Sequence, residues 1–136
     1  MPGYNRFQTV ASEIRALPAS GATIVVTVAS DLERFDRVLV ALYDYAGTGG
    51  PGINAFAYQV SSYLPSDPYD STEIRGWIDV SQTWDPAAVT TGRGSFTSFE
   101  GSGYHALRVT ASLSGSTSLD GTVRVDVIGY MERQND

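Results

Sequence analysis

Short apolar runs alternate with polar ones along the chain, and clusters of Gly, Ser and Thr separate them at intervals of roughly ten residues. Val, Ile, Thr, Tyr, Phe and Trp supply 46 of the 136 residues, and these side chains favour a pleated, half-buried surface. The pattern predicts an all-β fold, an antiparallel β-sandwich of the jelly-roll kind with about seven or eight strands. The predicted strands cover 22–29, 36–45, 54–63, 72–81, 88–98, 104–114 and 122–131, with a further extended piece near 5–10.

Two segments depart from the strand pattern. Residues Ala11–Leu17 predict one or two helical turns, with Ser12 as the N-cap and Pro18 as the stop. Ser30 and Glu33 have the spacing of a capping box, but the next predicted strand follows almost at once. We therefore expect a single turn at a sheet corner there.

The last two predicted strands share one alternation. Apolar residues fall on odd positions in both 105–113 and 123–127. An antiparallel hairpin that pairs Val109 with Val127 places both apolar sets on one face and the polar residues on the other. Asp120-Gly121 suits the connection, since both residues tolerate a positive φ. The sequence therefore predicts a closing hairpin.

Every residue of the segment Val38–Tyr43 is apolar apart from the hydroxyl group of Tyr43, so both faces of the predicted strand are apolar. Such a strand lies centrally in a sheet, or has one face covered by another chain or by the N-terminal arm. Apolar surface in excess of what a small core needs usually marks an interface.

The pattern divides the chain into an N-terminal arm, residues 1–20, and one β-sandwich domain, residues 21–136. Tyr4 and Phe7 are the large apolar side chains of the polar arm, so we expect them to dock on another surface. The first seventeen residues lack the apolar core of a signal peptide, which favours synthesis in a cytosol without secretion.

Composition excludes several kinds of chemistry. The chain has no cysteine and no lysine, one histidine, and a formal net charge of -6. Disulfides, thiolate zinc sites, cysteine nucleophiles and lysine Schiff bases are therefore excluded. The acidic balance argues against nucleic acid as the main partner.

Two loops resemble ligand-binding motifs. Residues 47–52 match G-x-G-x-x-G, but Pro51 interrupts the motif and a strand follows, whereas a dinucleotide fingerprint requires a helix. A flexible loop between strands is the favoured interpretation. Residues 66–71 concentrate carboxylates, hydroxyls and carbonyls that would suit calcium, although the same residues mark an ordinary turn.

Candidate catalytic side chains are few. His105 has the inward parity of its strand, opposite Met131 in the predicted hairpin, and no serine has a nucleophile-elbow context. A structural, hydrogen-bonded histidine is the favoured interpretation. Glu13, Glu73 and Glu100, together with the aspartates, could supply a glycosidase carboxylate pair only at suitable separations, and solvated acids are the simpler interpretation.

Two tryptophans stand out, Trp77 and Trp84. Strand parity places Trp77 on the outer face with Arg75 and Asp79, while Tyr69 is near in sequence. An outward indole serves as a sugar-stacking platform or as an interface anchor, or it covers the sheet edge of its own domain. The same parity directs three apolar residues to the core: Ile74, Ile78 and Val80.

Several features together resemble virion proteins of tailed bacteriophages, in particular capsid decoration and head-fibre modules. They are the polar arm with Gly3–Phe7, the glycine-rich loop 47–52 and the closing hairpin within Ala106–Tyr130. The resemblance implies self-association, often as a trimer, on a symmetric shell, with no chemistry of its own. It implies localisation to a virion.

We therefore expect a non-enzymatic protein without cofactor, metal or catalytic residues, whose partners are itself and a capsid or other virion protein rather than nucleic acid or a membrane. The alternative is a carbohydrate-binding β-sandwich that stacks sugars on exposed Trp and Tyr, with Asp79 or Asp85 binding sugar hydroxyls. The interface or ligand-contact candidates are Tyr4, Phe7, Tyr69, Trp77 and Trp84. A third alternative is a small jelly-roll enzyme, which a bound metal or a cleft joining His105 to two carboxylates would favour.

Overall fold

A computed structural model describes residues 4–16, 23–46, 53–84, 94–113 and 121–133, and these residues contain eight strands and two single 3₁₀ turns. The strands are β1 Tyr4–Ala16, β2 Ile24–Ala29, β3 Arg37–Ala46, β4 Ile53–Ser61, β5 Ile78–Trp84, β6 Gly94–Phe99, β7 Ala106–Leu113 and β8 Thr122–Arg133. The 3₁₀ turns are η1 Leu32–Arg34 and η2 Gly101–Gly103. Within the described ranges there is no helix long and apolar enough to span a membrane.

The strands form two four-stranded antiparallel sheets, ordered β1-β8-β3-β6 and β2-β7-β4-β5. The strand pairs are nested along the sequence, because β1 pairs with β8, β2 with β7, β3 with β6 and β4 with β5. Rolling such a nested set into two facing sheets produces a jelly roll. The predicted all-β sandwich of the jelly-roll kind is confirmed.

The core lies between the two sheets and is built from alternate residues of each strand. In β3 the side chains of Val38, Val40 and Leu42 are fully buried, while their neighbours point outward. Facing strands contribute in the same way. The buried cluster comprises Val26, Ala29, Leu32, Phe35, Val38, Val40, Leu42, Tyr45, Phe56, Tyr58, Val60, Leu107, Val109, Ala111, Val123, Val125 and Val127.

The predicted closing hairpin is wrong. β7 pairs with β2 and β4, whereas β8 pairs with β1 and β3, so the two strands lie in opposite sheets. Val109 and Val127 are both buried, as their alternation predicts, but they belong to the two facing inner surfaces. Alternation specifies which face is buried and not which strand is the neighbour. The hairpin therefore no longer contributes to the resemblance noted above.

The predicted helical turns at 11–17 are also wrong as far as Ala16, because β1 continues to that residue. A register shift between Thr9 and Ala11 leaves Val10 as an extra residue in the pairing with β8. Before this shift the odd-numbered residues of β1 point outward, and after it the even-numbered ones do. Val10 and Ile14 are four residues apart, a spacing that is also typical of a helix. The extended piece near 5–10 is the first half of this strand, which forms the edge of its sheet.

The strand predicted at 72–81 begins later, at Ile78. Residues 62–77 form a loop of turns between β4 and β5, which we call the β4–β5 loop. Ile74 and Ile78 are exposed rather than directed to the core, and only Val80 packs against the buried cluster.

Two local predictions are confirmed. β3 lies inside its sheet, between β8 and β6, as the apolar character of both its faces predicts. The turn expected after Ser30 is η1. It is closed by the N–H of Phe35, the next residue, which donates to the carbonyl of Leu32 at 3.0 Å.

Candidate interaction surface

The outer face of the β1-β8-β3-β6 sheet carries a patch of apolar side chains. Antiparallel partners point to the same side, and the pairs Phe7–Tyr130, Leu39–Ile128 and Ala41–Phe96 extend this patch across all four strands. The Phe7 and Tyr130 rings are 5.0 Å apart between centroids. We call this set the apolar patch: Phe7, Leu39, Ala41, Phe96, Ile128 and Tyr130.

The two edge strands hold the most exposed members of the apolar patch. Phe7 is 72% exposed on β1 and Phe96 is 65% exposed on β6, whereas the members on β3 and β8 are half-buried. The central strand β3 is apolar on both faces, so its outward residues belong to the patch whichever face is buried. The edge strands add two phenyl rings that contribute nothing to the core.

The same face ends in a polar network around Asp126. Ser12 donates a hydrogen bond to its Oδ1 at 2.6 Å, Tyr43 donates to its Oδ2, and Arg124 Nε lies 3.5 Å from Oδ1. The Arg124 guanidinium also lies 5.0 Å from the centroid of the Tyr43 ring. Burial alone would raise the pKa of Asp126, but the hydrogen bonds from Ser12 and Tyr43 and the charge of Arg124 hold it below its ordinary value.

The other sheet has its outer face covered by the β4–β5 loop. Arg108 on β7 points outward into this loop and is only 1% exposed. Its guanidinium donates to Gln59 Oε1 at 2.7 Å and to three loop carbonyls, those of Pro68 at 3.2 Å, Asp70 at 2.9 Å and Glu73 at 2.9 Å. One sheet is thus covered by the chain's own loop, while the apolar patch of the other is open.

Trp77 belongs to this cover: it lies on the outer side of the sheet, but it is buried there, so it covers the sheet of its own domain, the third of the uses considered for it, and the expectation of an exposed indole is wrong. It is 9% exposed, and the Arg108 guanidinium carbon lies 4.6 Å from the centroid of its ring. Trp77 precedes β5, so strand parity does not apply to it. Burial removes it from any exposed aromatic platform.

The other aromatic candidates are placed as follows. Phe7 is in the apolar patch. Tyr69 is exposed in the β4–β5 loop, where its hydroxyl donates to Glu13 at 3.4 Å and Arg15 lies 5.4 Å from its ring centroid. Tyr4 and Trp84 pair through their backbones with Arg133 and Phe56, and only the backbone is described there.

Of the two loops that resemble ligand-binding motifs, the structure describes only the second. Residues 47–52 lie outside the described residues. In the loop 66–71, Asp70 accepts hydrogen bonds from the N–H and hydroxyl of Thr72, and the Pro68 and Asp70 carbonyls accept from Arg108. The Arg108 guanidinium thus binds two carbonyls of this segment, and the Asp70–Thr72 hydrogen bonds are those of an ordinary turn.

The three glutamates proposed as carboxylate pairs lie on separate elements. Glu13 on β1 is 3.7 Å from Arg15, Glu73 is in the β4–β5 loop, and Glu100 precedes η2. No contact recorded among the described residues joins two of them.

His105 is not directed inward as its parity predicts. It precedes β7, half-buried, and its Nδ1 lies 2.9 and 3.1 Å from the two carboxylate oxygens of Glu33, while Nε2 lies 4.0 Å from Asp31 Oδ1. A cleft of about 300 Å³ opens beside it. The prediction of a hydrogen-bonded histidine is confirmed, and of the two carboxylates only Glu33 lines the cleft with His105. Sequence reasoning missed Asp31 and Glu33, since only the unpredicted approach of η1 to β7 brings them to His105.

No protein-family model matches the chain, and no curated protein matches it in sequence. Among solved structures, the chain is similar to one from the structure of the infectious bursal disease virus Gx strain, with a TM-score of 0.43 and 11% identity. The match covers 98% of this chain and 33% of that one, so this chain spans about a third of its length.

Proposed function

We propose that the protein is a non-enzymatic structural subunit of a virion, of the capsid decoration or head-fibre kind, that acts by self-association and by attachment to a protein shell. Jelly rolls recur in viral capsid and lectin domains, and a fold alone does not decide between such uses. The choice therefore depends on the surface that the chain presents.

The observation that supports this proposal is the apolar patch. Burying an exposed phenylalanine contributes about 1.5–3 kcal/mol, so two phenyl rings at opposite edges of one sheet favour a second surface packed across it. Exposed contiguous apolar area is typical of interaction sites. The outer face of the other sheet, by contrast, is covered by the chain's own β4–β5 loop.

Charge favours a second copy of the chain on this face. The chain carries a net charge of -6, but the described outer side chains of this sheet balance, with two arginines, Arg37 and Arg124, against two aspartates, Asp44 and Asp126. Two copies that pack through this face keep the acidic surfaces of the rest of each chain apart, which reduces the electrostatic repulsion between them. A closed trimer then multiplies weak contacts with a shell through effective concentration.

Light scattering coupled to size-exclusion chromatography tests the proposal. We expect an oligomer, with a trimer favoured, and we expect Phe96→Asp to convert it to a monomer that keeps its circular dichroism spectrum. Ile74→Asp is the matched control, since Ile74 is 73% exposed but lies in the β4–β5 loop, away from the patch. A wild-type monomer, or an oligomer unaffected by Phe96→Asp, would contradict the assembly. Binding on a glycan array that requires Tyr69 would favour the carbohydrate-binding alternative.

A further inference from the structure

Three side chains with metal-binding atoms converge where η1 meets the start of β7. One ligand atom each from Asp31, Glu33 and His105 lie within 4.8 Å of one another. The two carboxylates approach opposite nitrogens of the imidazole, Glu33 at Nδ1 and Asp31 at Nε2. This arrangement is independent of the apolar patch.

The backbone holds the three residues in place. Leu32, the residue between the two acids, is fully buried, and its N–H donates to the carbonyl of His105 itself at 3.0 Å. The N–H of His105 donates to the carbonyl of Ser61 on β4 at 2.8 Å. The segments that carry the three side chains are therefore tied to each other and to the sheet, which is the preorganisation that a binding site requires.

The contact with Glu33 determines which ring nitrogen of the neutral His105 imidazole carries the proton. An ionised carboxylate only accepts hydrogen bonds, so Nδ1 carries the proton in this contact. The neutral imidazole then has its lone pair on Nε2, the nitrogen that faces Asp31. A carboxylate on one ring nitrogen is the usual partner of a histidine that binds a metal through the other.

We propose that Nε2 of His105 and the carboxylate of Asp31 bind a zinc ion, with Glu33 as the positioning residue on Nδ1. An imidazole ligand favours zinc over calcium or magnesium, which prefer all-oxygen sites. Tetrahedral zinc with bonds of about 2.0–2.2 Å separates two ligand atoms by roughly 3.4 Å. The 4.0 Å between Nε2 and Asp31 Oδ1 closes to that value by rotation of the Asp31 side chain, which is 69% exposed.

A cleft of about 300 Å³ adjoins His105. It is lined in part by Glu33 and by the hydroxyl-bearing residues Ser62, Ser102 and Tyr104, whereas Asp31 is not in its lining. A zinc ion held by two protein ligands keeps open coordination positions, which water or a small oxygen ligand fills.

Isothermal titration with zinc chloride, run on the full chain, tests the proposal. We expect one zinc ion per chain, affinity lost in His105→Ala and Asp31→Asn, and affinity weakened by about 10–100-fold in Glu33→Gln. Asp67→Asn is the matched control, because Asp67 is also an exposed aspartate with a positive φ, in the β4–β5 loop. We expect it to bind as the wild type does, and calcium and magnesium not to compete.

The histidine signal provides a second readout that needs no substitution. His105 is the only histidine in the sequence, so the imidazole ¹⁵N resonances of the wild type are its own. Zinc should shift the Nε2 resonance and leave Nδ1 protonated. Absence of zinc binding, equal affinity in Asp31→Asn, or an unmoved Nε2 resonance would show that the cluster is only an ion pair between the imidazole and the two acids.

Discussion

Arg108 and Trp77 are stacked beneath the β4–β5 loop, with the guanidinium carbon 4.6 Å from the centroid of the indole ring and both side chains buried. The guanidinium lies over the ring in a cation–π contact, while its N–H groups donate to Gln59 and to three loop carbonyls. The contact therefore joins a strand of the sheet to the loop that covers it.

We expect Arg108→Met to destabilise the protein by roughly 3–5 kcal/mol, because Gln59 and three loop carbonyls lose a charged donor in a buried site. Denaturant unfolding measures the loss. Arg75→Met is the control, since Arg75 is an exposed arginine at the end of the same loop. Equal stability of the Arg108→Met and wild-type proteins would show that the loop does not depend on this side chain.

The fold class could be predicted from sequence because alternation reports burial. The predicted strands overlap observed ones closely except 72–81, which begins at Ile78, and 88–98, of which 88–93 lies outside the described residues. The pairing of the strands could not be predicted, because the inner faces of both sheets of a sandwich produce the same alternation. Val109 and Val127 illustrate this, since both are buried but lie in opposite sheets. The bulge at Val10 misled prediction for the related reason that one extra residue reverses parity.

A close approach at Gly129 gives the next prediction. A Cβ there would clash with the ring of Phe35, which is buried between the sheets. We expect Gly129→Ala to destabilise the protein by about 1–3 kcal/mol through overpacking. Gly103→Ala is the matched control, since a Cβ at Gly103 meets nothing within 4 Å. Thermal unfolding of the two variants compares them, and an equal shift would contradict the packing described here.

The polar network predicts a specific response to acid. Folding lowers the pKa of Asp126 from its ordinary value of 3.8, so its ionised form stabilises the native state above that pH. The contribution is lost as the pH falls through the lower, folded-state pKa. We expect Tyr43→Phe, which removes one donor, to raise the pKa of Asp126 in a ¹³C-detected titration. An unchanged pKa would show that the Tyr43 hydroxyl does not stabilise the carboxylate.

The site was less predictable than the fold. Phe7 was recognisable as a large apolar residue in a polar segment, and it lies in the apolar patch. Phe96 was not singled out, because an outward residue of an edge strand is recognised only once the strand order is known. Trp77 was misplaced for a similar reason, since its burial depends on a loop that Arg108 organises through backbone carbonyls, which carry no sequence signal.

Deletion of residues 1–10 tests whether the first half of β1 serves assembly or the core. Residues 4–9 pair with β8 from Ile128 to Arg133, but among the side chains described at 6–10 only Val10 packs against the buried cluster. We expect the truncated chain to keep its β-type circular dichroism spectrum, to lose roughly 2–4 kcal/mol of stability and to be monomeric. Phe7→Asp in the full chain separates the two effects, since it preserves the strand pairing while placing a charge in the apolar patch. It should be monomeric with nearly unchanged stability. A truncated chain that unfolds would instead assign this segment to the core of its own domain, and a Phe7→Asp variant that still assembles would exclude this edge of the patch from the interface.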